Sequence, residues 1–131
     1  MVGILAILLA LIVLAGLYLA QWSFGAAARK QVLSCRMDML NLKAAMTAYQ
    51  RTYGEFPTGD NGTILSTLRG SNPKKLIFLD LHPRSTNATG AFIDPWQTPY
   101  EIKIHSTNSV SIRSAGRNKQ FGDADDVVNS P

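Results

Sequence analysis

The sequence predicts an α+β fold in which one long amino-terminal helix, transmembrane at its start and amphipathic afterwards, packs on a small antiparallel β-hairpin or sheet. Three observations predict it. No charged or strongly polar side chain occurs from Val2 to Ala20, helix breakers are absent between Ala26 and Tyr53, and after Pro99 the apolar residues change to a period of two. At 131 residues the chain holds one domain at most.

As a helix, the stretch Val2 to Ala20 rises about 1.5 Å per residue and spans roughly 28 Å, close to the hydrocarbon thickness of a bilayer. Trp22 stands where an aromatic residue meets the membrane interface. A cleavable secretory signal is the rival reading, with Ala26, Ala27 and Ala28 as the small residues of a cleavage site. Against it, the apolar run exceeds the usual core of about 7–15 residues and no Lys or Arg precedes it, which favours a retained anchor. Arg29 and Lys30 follow at the level of lipid headgroups.

Beyond the anchor the helical pattern continues. Leu33, Met37, Leu40, Ala44 and Ala48 recur at helical steps and draw an apolar stripe predicted to pack against the chain's own small domain. Gly54 followed by Pro57 is a stop, and Gly25 is a point where the helix can bend. A continuous helix from Val2 to Tyr53 reaches about 78 Å, far beyond one bilayer. The predicted organisation is 1–22 as a transmembrane or filament-core helix, 23–53 as its amphipathic continuation, and 54–131 as a small α+β head. The helix alone fits equally a subunit that packs against copies of itself and an ordinary single-pass anchor with a stalk.

In the head, Thr58 to Asn61 is turn-forming, and Ile64, Leu65 and Leu68 read as a short helix capped by Asn61 and ended by Gly70. Asn72-Pro73 breaks the chain, and the apolar run Leu76 to Leu81 is too short for period to assign it. Tyr100, Ile102 and Ile104 alternate with Glu101 and Lys103; Val110 and Ile112 alternate with Ser109, Ser111 and Arg113. The short polar link His105 to Asn108 makes these an antiparallel hairpin whose apolar face covers the helix. A head of about 80 residues is marginal on core burial alone and calls for a staple. Cys35 is the sole cysteine, which excludes an intramolecular disulfide and a cysteine metal cage.

The net charge of +4 comes from scattered Lys and Arg without interleaved aromatics, so nucleic acid is not an expected partner. No catalytic constellation is present: His82 and His105 are isolated, and Asp125-Asp126 lacks the pocket signals of an acid/base pair. The tail is different. Asp123, Asp125 and Asp126 sit beside Gly116, Asn118 and Gly122, oxygen donors on a glycine-bent loop of the kind calcium takes, though not at the spacing of an EF-hand. Taken alone, an acidic run of this kind is usually a solvated face.

The stretch Ile93-Asp94-Pro95-Trp96-Gln97-Thr98-Pro99-Tyr100, then a hairpin, then Ser114-x-Gly-x-Asn118 with Gly122 and Asp125-Asp126, resembles the carboxyl-terminal half of type II secretion major pseudopilins, pilin-like proteins with an Asp-Pro-Trp-Gly-x-Pro-Tyr turn and a calcium loop. Leu42-Lys43-Ala44-Ala45-Met46-Thr47-Ala48-Tyr49 and Tyr53-Gly54-Glu55-Phe56-Pro57-Thr58 resemble the helix end and exit of the same family. The resemblance implies a pilin-like fold and a calcium site formed by the backbone carbonyl near Ala115 and the side chains of Asn118, Asp125 and Asp126. Asn118 stands where the family usually has Asp, so one negative charge is lost and calcium affinity is expected to fall unless Asp123 compensates. Asp94, Pro95 and Trp96 are implied to be structural. The implied role is a non-enzymatic subunit that self-associates into a periplasmic filament driving protein export by type II secretion, with minor pseudopilins, an inner-membrane assembly platform and membrane lipid as partners; the alternative is a type IV pilus-like subunit or a solitary membrane-anchored, calcium-stabilised binding module. One departure lies at the amino end, where the family's basic leader and Phe-Thr-Leu-Ile-Glu segment do not precede Met1-Val2-Gly3-Ile4-Leu5-Ala6. Either the gene starts upstream or the subunit is inserted unprocessed. A basic leader also reconciles Arg29 and Lys30 with a single-pass inner-membrane protein whose head lies in the periplasm.

Overall fold

In the computed structural model, which describes residues 2–129 and all their side chains except those of 2–5 and 22–24, the elements run α1 (Val2–Tyr53), α2 (Asn61–Leu68), a 3-10 turn (Pro83–Ser85), β1 (Glu101–Ser106), β2 (Ser109–Ser114) and β3 (Val127–Asn129). The chain divides into two units, Met1–Gln31 and Val32–Pro131.

The first unit is the early part of α1. The absence of Pro and the dominance of Ala and Leu let the helix run unbroken, including through Gly25. Its described apolar side chains from Ala6 to Leu19 are exposed, and α1 is long and apolar enough to cross a membrane. The interfacial position expected of Trp22 falls outside the described side chains.

The second unit is built on the later part of α1. Cys35, Met39, Leu42, Ala45 and Met46 are buried, with Val32 and Tyr49 packed at their margins. They meet Ile64, Leu65 and Leu68 of α2, Phe92 and Tyr100 of the connecting segment, Val110 and Ile112 of β2, and Val127 of β3. The predicted stripe is therefore not the buried one. Leu33 is 62 %, Met37 50 % and Leu40 53 % exposed, and Ala44 and Ala48 are exposed as well. Two apolar stripes run along this helix on nearly opposite faces, because each residue of the buried one stands two positions after a residue of the other, and two steps of a 3.6-residue turn separate them by about 160°. Period alone does not choose between them. The stripe of Cys35, Met39, Leu42 and Met46 wins because its flanking Tyr49 reaches Phe78, ring centroids 5.5 Å apart, and because Tyr100 closes over it.

The helix stops as predicted, with Gly54 in the left-handed region (φ 87°) and its N–H donating to the Gln50 carbonyl. The cap of α2 is Asp60 rather than Asn61: the Asp60 carboxylate accepts from the Thr63 N–H at 2.8 Å. Asn61 serves as a tie instead. Its amide oxygen accepts from the Phe92 N–H at 2.7 Å and its Nδ2 donates to the Tyr100 carbonyl at 2.7 Å, fixing α2 to the segment that leads into the sheet. The apolar run Leu76 to Leu81 is neither helix nor strand. Asn72 shapes it, donating to the Thr67 and Leu76 carbonyls and accepting from the Leu76 N–H and the Tyr53 hydroxyl.

The sheet is antiparallel in the order β1-β2-β3. Ile102 faces Ile112 and Ile104 faces Val110, the pairing that the alternation predicts, although Ile104 at the far end remains exposed. The link narrows to Thr107–Asn108, and a register irregularity falls between Ile104 and Ser106. A third strand, β3, follows the tail loop and pairs Val127 with Ser114 and Val128 with Arg113.

The two stripes make opposite demands on substitution. Leu42→Ala is expected to cost about 2–5 kcal/mol of head stability, whereas Leu40→Ala, on the open stripe, stays within about 0.5 kcal/mol. Thermal melting of the full chain in detergent, followed by circular dichroism, checks both. Equal losses would show that the faces are assigned wrongly.

Candidate functional site

The tail loop leaves β2 at Ser114 and returns to the sheet at Val127. Ala115 and Gly116 are buried at its base. Gly116 adopts φ 68°, and a Cβ there would collide with the Asp125 carbonyl, so only glycine lets the two ends of the loop approach this closely. Gly122, at φ 105°, makes the second bend.

Within this frame the carboxylates are organised by the loop's own donors. Asp125 Oδ2 accepts from the Asn118 N–H at 2.9 Å. Asp123 accepts from the Asp125 N–H at 2.8 Å through Oδ1 and from Asn118 Nδ2 at 2.6 Å through Oδ2. The Asn118 amide oxygen accepts from the Gln120 N–H at 2.9 Å. Asp126 Oδ2 accepts from the Gly122 N–H at 2.8 Å and pairs with Arg113 Nη1 at 3.4 Å.

All five residues named from the sequence thus lie on one loop, and Asn118, Asp123 and Asp125 are bonded to one another. Asp126 stands apart, turned to Gly122 and Arg113. Among the described residues no group of three or more His, Cys, Asp or Glu side chains is drawn together as a metal cluster. The donor set nevertheless suits a hard cation, being all oxygen. One of those oxygens is conspicuously unused: the Asp126 side chain is only 6 % exposed, and its Oδ1 is buried without a hydrogen-bond partner. Leaving such an acceptor unsatisfied costs about 1–3 kcal/mol, and more when it is charged.

Arg113 is the residue that reading the sequence for this site missed. It was visible only as an outward position in the β2 alternation, and nothing in that pattern ties it to Asp126. It also holds Glu101, with Nε at 2.9 Å and Nη2 at 2.7 Å from Oε2. Burial alone would raise the Glu101 carboxyl, but hydrogen bonds and charge from Lys103 and Arg113 outweigh it and hold the group below its ordinary value.

Beneath the loop lies a buried polar chain. Ser114 Oγ donates to Asp94 Oδ2 at 2.6 Å and accepts from the Gly116 N–H at 3.0 Å. Asp94 Oδ1 accepts from the Trp96 and Thr98 N–H groups, both at 2.9 Å, which closes the Asp94-Pro95-Trp96 turn. The turn is therefore structural, and Trp96 packs half-buried against the core. Tyr100 donates to Asp38 of α1 at 3.3 Å, and burial drives its hydroxyl far above the ordinary range. Cys35 is buried beside it, its thiol pushed up by desolvation, which makes it a packing residue and not a nucleophile.

With the geometry in place, comparison with known proteins is decisive on family. The family model described as "Type II secretion system (T2SS), protein G" matches residues 23–130. The chain belongs to this family. In structure it is similar to the crystal structure of the major pseudopilin from the type 2 secretion system of enterohaemorrhagic Escherichia coli, at a TM-score of 0.53 and 19 % identity over 80 % of this chain and 87 % of that one. That likeness shows a shared pseudopilin fold. No curated protein matches the chain in sequence. The chain is a type II secretion pseudopilin subunit, and the family is one of structural subunits, not enzymes.

Against the pseudopilin turn pattern Asp-Pro-Trp-Gly-x-Pro-Tyr, this chain places Gln97 at the glycine position, and Gln97 adopts φ 72°. A side chain there is strained, by about 1–2 kcal/mol, while glycine gives back roughly 0.5–1 kcal/mol in unfolded-chain entropy. Gln97→Gly is expected to stabilise the head by roughly 0.5–1 kcal/mol. An unchanged or lowered midpoint in denaturant titration would contradict the strain.

Proposed function

We propose that this subunit is held in the bacterial inner membrane by the early part of α1, carries its head in the periplasm, and assembles with copies of itself into the filament that drives protein export by type II secretion. The observation that carries the reading is the apolar surface α1 leaves uncovered, from Ala6 to Leu19 in the first unit and at Leu33, Met37 and Leu40 in the second. A soluble monomer rarely exposes contiguous apolar surface on this scale. Such a surface is at home among lipid tails and equally among identical helices, so moving from membrane to filament exchanges one apolar environment for another. Minor pseudopilins and an inner-membrane assembly platform are the partners this role requires.

Replacing Leu33 and Leu40 together by Glu tests the assembly surface. In membranes the double variant is expected to lose the ladder of cross-linked multimers formed by the parent chain, while its head melts within a few degrees of the parent. A full ladder from the variant would reject assembly through this stripe.

The second part of the proposal is that calcium braces the tail loop, held by the Ala115 carbonyl, the Asn118 amide oxygen and the carboxylates of Asp125 and Asp126, with Asp123 supplying the charge that Asn118 lacks. Bound calcium contributes electrostatic cross-linking of the two ends of the loop. The unpartnered Asp126 Oδ1 supports this reading, since a cation is what a buried, charged and otherwise unused acceptor calls for. Occupancy at 100 times Kd adds about 2.7 kcal/mol, which for a head of this size is several degrees in melting temperature. Chelation is accordingly expected to lower the melting temperature of the full chain in detergent by several degrees, and Asp125→Ala to abolish the difference. Identical melting of the parent chain with and without calcium would reject the brace.

A further inference from the structure

We propose that Arg113 is a built-in cation that latches the tail loop to the sheet when no metal is bound, and thereby sets how much stability calcium adds. The latch stands on geometry alone; only its consequence for calcium rests on the metal reading above.

Arg113 is central in the sheet. In register it faces Glu101 of β1 on one side and Val128 of β3 on the other. Its guanidinium is gripped from two directions: Glu101 Oε2 holds Nε and Nη2, and the Phe121 ring of the tail loop lies 5.0 Å from Cζ. The remaining corner, Nη1, is delivered to Asp126 Oδ2 at 3.4 Å. Asp126 immediately precedes β3, so this contact fixes the point at which the loop rejoins the sheet. A planar, permanently charged fork suits that task, because one arm is spent on strand β1 and the other reaches the loop.

The same placement has a consequence for a metal. Arg113 and the Gly122 N–H occupy Oδ2 and leave Oδ1 of the same carboxylate without a partner. Arg113 therefore positions Asp126 with one oxygen free, and at the same time neutralises part of its charge. A divalent cation approaching Oδ1 meets a carboxylate already shared with a fixed positive charge. Removing that charge loosens the metal-free loop and also strengthens the pull of Asp126 on calcium. Both effects widen the gap between calcium-bound and metal-free stability.

The test compares the full parent chain with Arg113→Gln and Arg113→Lys in detergent, melted in chelator and in saturating calcium, with calcium Kd from titration calorimetry. Arg113→Gln is expected to melt several degrees below the parent in chelator, to show a calcium-induced rise larger than the parent's, and to bind calcium several-fold more tightly. Arg113→Lys keeps the charge, so its calcium-induced rise and Kd are expected to stay close to the parent's. If Arg113→Gln melts with the parent in chelator, there is no latch. A loss of equal size in chelator and in calcium, with Kd unchanged, would reduce Arg113 to an ordinary ion pair and overturn the proposal. Should Arg113→Gln fold in neither condition, Arg113→Lys decides: a calcium-induced rise unlike the parent's overturns the role of the charge. If the parent itself does not respond to calcium, the brace fails, and the chelator comparison alone then decides the latch.

Discussion

A single helix carries two apolar stripes on nearly opposite faces, about 160° apart, and the architecture of the head follows from which of them it covers. Cys35, Met39, Leu42 and Met46 are sealed under α2, Tyr100 and the sheet, while Leu33, Met37 and Leu40 stay open. Burying a large apolar side chain contributes about 1.5–3 kcal/mol. The covered stripe is therefore the largest stabilising element available to so small a head. Covering both stripes would require a second layer of structure, which the remaining sequence does not supply. The open stripe is the direct result of a short chain folding on one side of a long helix, and it leaves exposed the kind of apolar surface that a solitary soluble domain would have to hide.

A small head without a disulfide must still fix its irregular segments, and here buried amides and hydroxyls do so. Asn61 ties α2 to the segment entering the sheet, Asn72 shapes the run from Leu76 to Leu81, and Asp94 closes its own turn while holding Ser114 beneath the tail loop. Each such bond contributes only about 1 kcal/mol net. Their effect is chiefly on uniqueness, because every one of these polar groups is buried or half-buried and an alternative packing would leave it unpaired. The Asp94 to Ser114 bond also joins the two features that carry the family resemblance, the Asp-Pro-Trp turn and the glycine-bent tail. They are one structural unit, since Ser114 Oγ bonds both the Asp94 carboxylate and the Gly116 N–H.

What was legible in the sequence is what depends on long-range period or on glycine. The extent of α1, its stop at Gly54, the β1–β2 pairing and the positions of Gly116 and Gly122 all follow from patterns that few other conformations satisfy. The choice of stripe was not legible, because Leu33, Met37 and Leu40 are individually as apolar as the residues that are buried. The cap of α2 was misplaced by one residue for a related reason: Asp60 and Asn61 are both good caps, and only the demand of the Phe92 and Tyr100 backbones for a partner assigns Asn61 elsewhere. Strand β3 is three residues long, too short for alternation to register. Arg113 was read as an outward-facing strand residue, correctly, but its partner Asp126 is far along the loop and no local spacing links them.

The charge arrangement around the tail limits the mutual repulsion of its carboxylates. Asp123, Asp125 and Asp126 are matched in number by Arg113, Arg117 and Lys119 along the same stretch of chain. Loop N–H groups bond to each of the three carboxylates or their immediate neighbours, and the Asn118 amide takes up one Asp123 oxygen where a further acid would have repelled it. A loop made only of acids would be held open by its own repulsion until a cation closed it. Here the substitution of amide for acid and the approach of an arginine lower that repulsion together, and what is left over is a single buried oxygen on Asp126. On the calcium reading proposed above, that oxygen is where a cation adds to contacts the loop already makes within itself and to Arg113.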